Sequence, residues 1–526
     1  MAQVDVDGLT GGSDNQSMKA KVAEFFRPHQ QIDSAFLDAV IPGRAFLIPA
    51  LIAVIALKIV AVYAAAPLAD EGYYWLWGKN LDWSYYDHPP LGGWVLALTS
   101  ALLGDSLWAI RSTTIPVVAG IAWIIWFWVK ALVEPKRRID AYLTAILIFG
   151  ASPWMMQYTS IVFHDYLLIG AGIAAAHFFA LFLRSMGAKP AYLYLYTACL
   201  FLGLAGLAKY SGVLIGFGFG AWVLCTAKGR TLLSDIHLWC GAVLAMLMQA
   251  PVIYWNMVND WPSFRYNLHD RIGDVNFENP VLRFWDWGEN YVWMLSPVLM
   301  IALVRYLMVG SQSSVIRAMQ GPGRFVFWVT IAVFTYVTFS TSVFFYWMVT
   351  SIVFFMPVAF FFFKSAAEVR LHLIWGIVFC FMQNFNMAVV PVEALAGKPV
   401  IKDVTISHGL DEVAAEFAAA EQTLNPDLAL TTDYRTASLL SLTMQRTDVM
   451  AMGYRVDMFD FWFEPAQHQG ADALVLVYDR FPETELITKN FETVTTIREF
   501  TITRYGADLE SYKLVYAQNY SGEGDH

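Results

Sequence analysis

Charge is scarce in this chain. Only 15% of its 526 residues are Asp, Glu, Lys or Arg, against roughly 25% in an ordinary soluble domain. Basic residues are the rarer sign, which leaves a net charge of −10. No cationic stripe exists to neutralise a phosphate backbone, so nucleic acid is excluded as a partner. Cysteine is rarer still. Cys199, Cys225, Cys240 and Cys380 each sit within an apolar run, without metal-ligand spacing; they read as small buried hydrophobes and imply no disulfide framework. The mostly polar residues 1–43 lack the leading apolar stretch of a secretory signal peptide. Apolar surface, by contrast, is abundant. Hydrophobic residues make up 57% of the chain and aromatics 16%, with 20 Trp, 25 Tyr and 38 Phe, and mean hydropathy is +0.47. So much apolar surface needs lipid around it. That excludes a soluble globular enzyme, a disordered chain and a fibrous one, and points to a polytopic helical protein with the bilayer as partner.

Charged residues divide the apolar runs into candidate spans at 45–66, 107–130, 141–158, 163–183, 191–208, 211–227, 237–255, 291–309, 324–342, 345–363 and 372–391. This makes about eleven helices, each near the ~20 residues that a bilayer requires. Residues 91–104 are apolar but too short to span, and Gly92-Gly93 weakens them as a helix, so they read as a helix at the membrane surface. Lys19, Lys21, Arg27 and Arg44 precede the first span. Lys130, Lys136, Arg137 and Arg138 follow the second, Arg184 and Lys189 the fourth, and Lys228 and Arg230 the sixth. Arg305, Arg317 and Arg324 mark a later connection, and Lys364 and Arg370 the last. The positive-inside rule puts all of these, and the N-terminal segment 1–44, in the cytoplasm. The membrane region 45–393 then shows loops 67–106 and 256–290 on its outer side. From 394 to 526 the apolar runs shorten to strand length, at Leu428–Thr432, Val449–Met452 and Ala473–Val477, with helical patterns at 410–424 and 435–444. This segment reads as a soluble extracytoplasmic α/β domain.

The residues that can carry chemistry fall on the outer side under this topology. Asp70-Glu71 opens a motif continuing through Tyr74 to Asp87-His88-Pro89-Pro90. Asp70 has the place of a general base for an acceptor hydroxyl, with Glu71 orienting it; the same two acids would also serve as a solvated helix cap. His164-Asp165 is an ionisable pair at the membrane boundary, which marks function more often there than in a soluble loop, though Asp165 also suits a cap. Lys209 suits a phosphate or a snorkelling contact. Arg265, His269 and Arg271 lie in an aromatic loop; if it curls, the two arginines can share one anion, and the bland alternative is a headgroup belt. A carboxylate base with several cations beside lipid fits a substrate with an anionic phosphate and a greasy tail.

These motifs resemble glycosyltransferase family 39. Asp-Glu-x-Tyr-Tyr, Tyr-x-Asp-His-Pro-Pro-Leu, Gly-Leu-Ala-Lys-Tyr-Ser, Trp-Asn and Ser-Phe-Arg look like that family's motifs. The family shares the GT-C membrane fold with protein mannosyltransferases and the aminoarabinose transferase of lipid A. The sequence looks most like its bacterial lipopolysaccharide-modifying members, such as the rhizobial galacturonosyltransferases. The resemblance covers 45–300 well, 300–390 loosely, and the C-terminal domain mainly at Thr431–Tyr434 and Asp457–Trp462. It implies a sugar donor linked to polyprenyl phosphate, a glycolipid acceptor (lipid A or lipopolysaccharide core) at the periplasmic face of the bacterial inner membrane, and inversion at the anomeric carbon. It gives Asp70 the catalytic acidic position, sets Glu71, His88, His164 and Asp165 near the pocket, and leaves Lys209, Arg265 and Arg271 as candidates for the donor phosphate. No cofactor is required. A divalent cation bridging carboxylate and phosphate is compatible, with Asp70, Glu71 and Asp165 as its ligands. The competing class is a transporter or flippase for a lipid-linked anion. It predicts charges near the bilayer midplane and an internal repeat, whereas only Lys58 clearly lies inside a span and no repeat is visible.

Overall fold

The computed structural model describes residues 32–186, 189–273, 279–311, 313–397 and 402–523. Lys19, Lys21 and Arg27, used above for orientation, lie outside the described residues, as does 274–278 of the outer loop. The first span, Arg44–Tyr63, shows how the membrane region is built. Leu47, Ala50, Val54, Leu57 and Ala61 form its buried stripe, while Ile48, Ile52, Ile55 and Ile59 stand exposed on the other side. Both stripes follow the three-and-four spacing of a helix, and both are apolar, as a lipid-facing helix requires. Among the described residues four helices are long and apolar enough to cross a bilayer: Arg44–Tyr63, Leu107–Leu132, His164–Ser185 and Ala366–Ala388. Counting each bent helix pair as one span raises this to eight. His164–Ser185 is the central helix, with 83% of its most apolar window buried.

Several expected spans are interrupted: 237–255 bends by 41° between Leu247 and Ala250, and three others break beside a proline. The run 141–158 is divided into Arg138–Gly150 and Pro153–Tyr158, because Pro153 cannot continue the preceding helix. The expected 291–309 span is two helices, Pro280–Leu295 and Pro297–Met308, crossing at 99°. Pro297 again stops the ladder, and Ser296 makes the corner at φ 89°. The run 345–363 forms two 3₁₀ segments, Phe345–Ile352 and Met356–Phe362, bent by 73°, with Pro357 at the start of the second. The surface-helix segment forms the helix Leu91–Leu103.

The C-terminal part holds a five-stranded sheet. Its strands are β1 (Leu428–Thr431), β2 (Val449–Ala451), β3 (Ala473–Tyr478), β4 (Phe491–Arg504) and β5 (Ala507–Tyr520), in the order β2-β1-β3-β5-β4. β1 runs parallel to both β2 and β3, and β5 is antiparallel to β3 and β4. Helices Leu410–Leu424 and Tyr434–Met444 stand where the apolar periodicity indicates. The β4–β5 hairpin was not among the expected strands. β4 is largely exposed, so it lacks the apolar run that marks a buried strand. Its turn, Tyr505-Gly506, has positive φ at both residues, as two-residue hairpins prefer.

One apolar cluster joins this sheet to the membrane region. Tyr73, Tyr74, Trp75 and Trp77 of helix Ala69–Lys79 pack in one core with Phe417, Leu439, Leu474, Tyr478 and Tyr512. The contact comes down to backbone. A Cβ on Gly72 would stand 2.4 Å from the carbonyl oxygen of Ser438, so only glycine lets helix Ala69–Lys79 approach helix Tyr434–Met444 this closely.

Candidate active site

Asp70 and Glu71 both lie in the first turn of helix Ala69–Lys79, where the helix dipole favours carboxylates. Their surroundings differ. Glu71 is fully buried and faces Arg111, also fully buried. Arg111 Nε and Nη2 donate to its two oxygens at 2.8 and 2.6 Å. Glu71 also accepts from the backbone N–H groups of Val162 and Leu68. Arg111 in turn donates to the carbonyl of Ala61, an orphan acceptor in the last turn of the first span, and to those of Ala65 and Ala66 just beyond it. Glu71–Arg111 is therefore a strut. It ties the end of the first span, the Asp70 helix and the 160s loop together. Glu71 does not line the cavity described next. The sequence sets Glu71 beside Asp70; the structure pairs it with Arg111, away from that cavity.

Asp70 faces a cavity of about 500 Å³. Tyr74, Asp87, His88, His164, Asp165, Lys209 and Arg271 line it as well, so most of the residues singled out in the sequence come together. Lys209 Nζ donates to both oxygens of Asp165 at 2.9 Å and stands 4.8 Å from the Tyr346 ring. The Arg271 guanidinium lies 4.3 Å from the Trp347 ring. The His88 and His164 rings are 4.6 Å apart, and Tyr74 packs on His164 at 3.9 Å. A Cβ on Gly92 would lie 2.5 Å from the His164 ring; the glycine that weakens the surface helix makes room for this histidine. Burial holds the His88 imidazole well below its ordinary range, and the nearby His164, Lys209, Arg271 and Arg455 push it further down.

Arg265 and His269 stay outside this gathering. Arg265 pairs with Asp260 and keeps 58% of its side chain exposed. His269 pairs with Asp270 and is 83% exposed. The loop does curl, but through a π-helical turn, Tyr266–Asp270. That turn brings Arg271 inward and leaves Arg265 outside, so the two arginines do not share an anion. Asp70, Glu71 and Asp165, the ligands named for a divalent cation should one bind, are not brought together as one group. Among the described residues no group of three or more His, Cys, Asp or Glu side chains is placed to hold an ion, and Glu71 and Asp165 are held by Arg111 and Lys209.

The cavity has walls that motif reading missed. Tyr346 and Trp347 come from the 3₁₀ segment; Tyr434, Arg435 and Arg455 come from the C-terminal domain. Asp87 connects the two parts. It accepts from the Tyr73 hydroxyl at 2.8 Å and from Arg455, while the Tyr73 oxygen accepts from the Met458 N–H at 2.8 Å. The available signal was position: Tyr434 ends one of the C-terminal segments that resemble the family, and Arg455 lies two residues before the other. Beside the polar cavity runs an apolar groove of about 400 Å³, lined by Val213, Leu214, Leu268, Ile272, Val333, Phe334 and Val337. His88, Lys209, Arg271 and Trp347 border both spaces.

Known proteins match this arrangement at three levels. A family model described as dolichyl-phosphate-mannose-protein mannosyltransferase matches residues 87–255, from Asp87 to Trp255. Lipid A galacturonosyltransferase RgtD of Rhizobium johnstonii is 26% identical over 199 residues, 38% of this chain and 40% of that protein. The match therefore spans two fifths of the curated relative's length. ArnT from Cupriavidus metallidurans, solved with undecaprenyl phosphate bound, has the same fold with a TM-score of 0.59 at 15% identity, over 90% of this chain and 98% of that one. Its apo state gives 0.57 over the same shares. The Asp-His-Pro-Pro turn thus opens the stretch that the family model matches, and the fold recurs along nearly the whole of a solved protein: over residues 87–255 the chain resembles the dolichyl-phosphate-mannose-protein mannosyltransferases, and it has the fold of ArnT.

Proposed function

We propose that the protein is a multi-pass glycosyltransferase of a bacterial inner membrane. It moves a sugar from polyprenyl phosphate to a periplasmic or outer-leaflet acceptor of the lipid A or lipopolysaccharide-core class, with inversion. One observation carries this reading above the others: the polar cavity holding Asp70 opens into an apolar groove past Lys209 and Arg271. A lipid-linked sugar has the same three parts in the same order, namely sugar, phosphate and tail. Two printed names agree with it. The relative acts on lipid A, and the protein of like fold was solved with undecaprenyl phosphate.

In this mechanism the tail lies in the groove and the phosphate at Lys209 and Arg271. The sugar sits beside Asp70, His88 and His164. The acceptor oxygen attacks the anomeric carbon on the face opposite the phosphate. The carbon–oxygen bond to the phosphate breaks, and polyprenyl phosphate leaves with the electron pair. The two cations stabilise the charge that develops on it. Asp70 takes the proton of an acceptor hydroxyl; where the attacking group is itself a phosphate, Asp70 orients it instead. Lys58, the in-span charge on which the transporter reading would rely, donates to Thr159 and Ser160 and so caps a helix end.

The test is transfer by purified protein from labelled polyprenyl-phosphate sugars to lipid A or core acceptors. Transfer should occur. Lys209→Ala and Arg271→Ala should each raise the donor KM at least about tenfold, as loss of hydrogen bonds to a charged group does. Arg265→Ala should stay within about twofold of the parent, since surface changes of this kind have small effects. Absence of transfer with every donor, together with passage of the lipid across vesicles, would establish the transporter instead.

A further inference from the structure

The donor reading gives roles to Lys209 and Arg271 but none to the two arginines of the C-terminal domain. Arg435 lies just beyond β1 and Arg455 just beyond β2, at the carboxyl ends of adjacent parallel strands. That edge is where open parallel sheets bind their ligands. Both guanidinium groups are oriented by one ring: Arg455 lies 4.3 Å and Arg435 4.9 Å from Tyr434. Phe481 and Tyr266 flank them at 5.2 and 5.8 Å. Stacking fixes the plane of a guanidinium while its N–H fork stays at the edge. Behind the pair, a second space of about 180 Å³ continues into the domain. Tyr434, Arg435 and Arg455 line both spaces, and Asp433, Asp457 and Glu483 line the inner one. The arginines therefore stand at a junction, on the wall that the C-terminal domain supplies, whereas Lys209 and Arg271 belong to the membrane region. Arg455 holds Asp87 through Nη2, and a guanidinium has five N–H donors to share.

We propose that Arg435 and Arg455 form a second oxyanion site, which holds a phosphate or carboxylate of the substrates other than the leaving phosphate. The proposal rests on the glycosyltransferase reading and deepens it. The oxyanion has two sources: a phosphate on the acceptor, or the carboxylate of a uronic acid on the donor.

The experiment measures binding to detergent-solubilised full-length protein and to its Arg435→Ala, Arg455→Ala and Arg455→Lys variants, with the melting temperature of each. The probes are bisphosphorylated lipid A, dephosphorylated lipid A, undecaprenyl phosphate, and undecaprenyl-phosphate galacturonate against the galactose analogue. If the acceptor supplies the oxyanion, both alanine variants lose affinity for bisphosphorylated lipid A by at least about tenfold, and dephosphorylated lipid A is indifferent to them. If the sugar supplies it, they lose about tenfold for the galacturonate donor and keep the galactose donor. In either case undecaprenyl phosphate stays within twofold. Arg455→Lys should retain the Asp87 pair and the melting temperature while recovering only part of the binding, which a purely structural arginine would not show. The proposal is overturned if the alanine variants bind every probe like the parent, or if undecaprenyl phosphate falls as far as the others, since one site then serves both anions. A parent that ignores undecaprenyl phosphate but discriminates lipid A by charge through Arg435 would sink the donor reading and leave the second site standing.

Discussion

Asp70 and Glu71 are chain neighbours with the same chemistry and opposite surroundings. Asp70 faces the cavity, and Glu71 is enclosed with Arg111. Their substitutions should therefore fail differently. Asp70→Asn should lower the transfer rate by about 10²–10⁴-fold, the usual contribution of a positioned base, with the melting temperature unchanged. Glu71→Gln should act on folding first. Breaking a buried pair by removing one charge costs about 3–5 kcal/mol, read as a clear fall in melting temperature and in the yield of solubilised protein. A Glu71→Gln protein as stable as its parent but inactive would return Glu71 to the chemistry. His88 allows a separate test by pH. Its folded-state pKa is depressed by burial and by neighbouring positive groups, while the unfolded chain takes up a proton near the ordinary value of about 6.5. Below that pH the unfolded state binds the extra proton, so stability falls as the solution becomes more acidic, until the depressed folded value is reached. The drop in melting temperature from pH 7.5 to 5.5 should be smaller in His88→Gln than in the parent; equal drops would show that His88 carries no such burden.

Helix Ala69–Lys79 is the element on which the site turns. One end offers Asp70 to the cavity, and its Gly72 face meets helix Tyr434–Met444. Gly72→Ala would place a methyl group against the Ser438 carbonyl, a backbone atom that cannot swing aside. Overpacking of this kind costs about 1–3 kcal/mol. The variant should melt lower and expose residues beyond 402 to protease earlier than the parent; identical proteolysis would mean that the two helices part at little cost. This helix also shows how far sequence reading reaches. Asp70 and the Asp-His-Pro-Pro turn were legible because acids beside an apolar span are rare enough to be noticed. The short parallel strands were legible because buried strands are written as continuous apolar runs. The different fates of Asp70 and Glu71 were not legible. Arg111, which separates them, is 40 positions away from Glu71, and no local pattern links the two. The inward turn of Arg271 depends on a π-helical turn that spacing does not announce. Arg435 and Arg455 are ordinary surface residues until the sheet brings them over a cavity built by the other end of the chain.

At the scale of the molecule, the four to eight helical spans found among the described residues carry a sheet packed on the Asp70 helix. The orientation argued from Lys and Arg predicts that reporters fused at Arg138 and after residue 526 will report opposite sides, Arg138 inside and the C-terminus outside. Two cytoplasmic readings would separate the cavity from the periplasmic acceptor and sink the proposed reaction. The core shared between the membrane helices and the sheet has a consequence for how the protein comes into being. The Tyr73 hydroxyl receives the Met458 N–H across 385 positions of chain, and Asp87 waits 368 positions for Arg455. A ribosome makes the carboxylate wall of the cavity first and its arginine wall 368 residues later. Until that wall is made, the nascent chain holds Asp70 in place with no chamber closed around it. Assembly of the helices and closure of the cavity are thus separate events: the cavity is complete only when the C-terminal sheet folds back onto helix Ala69–Lys79.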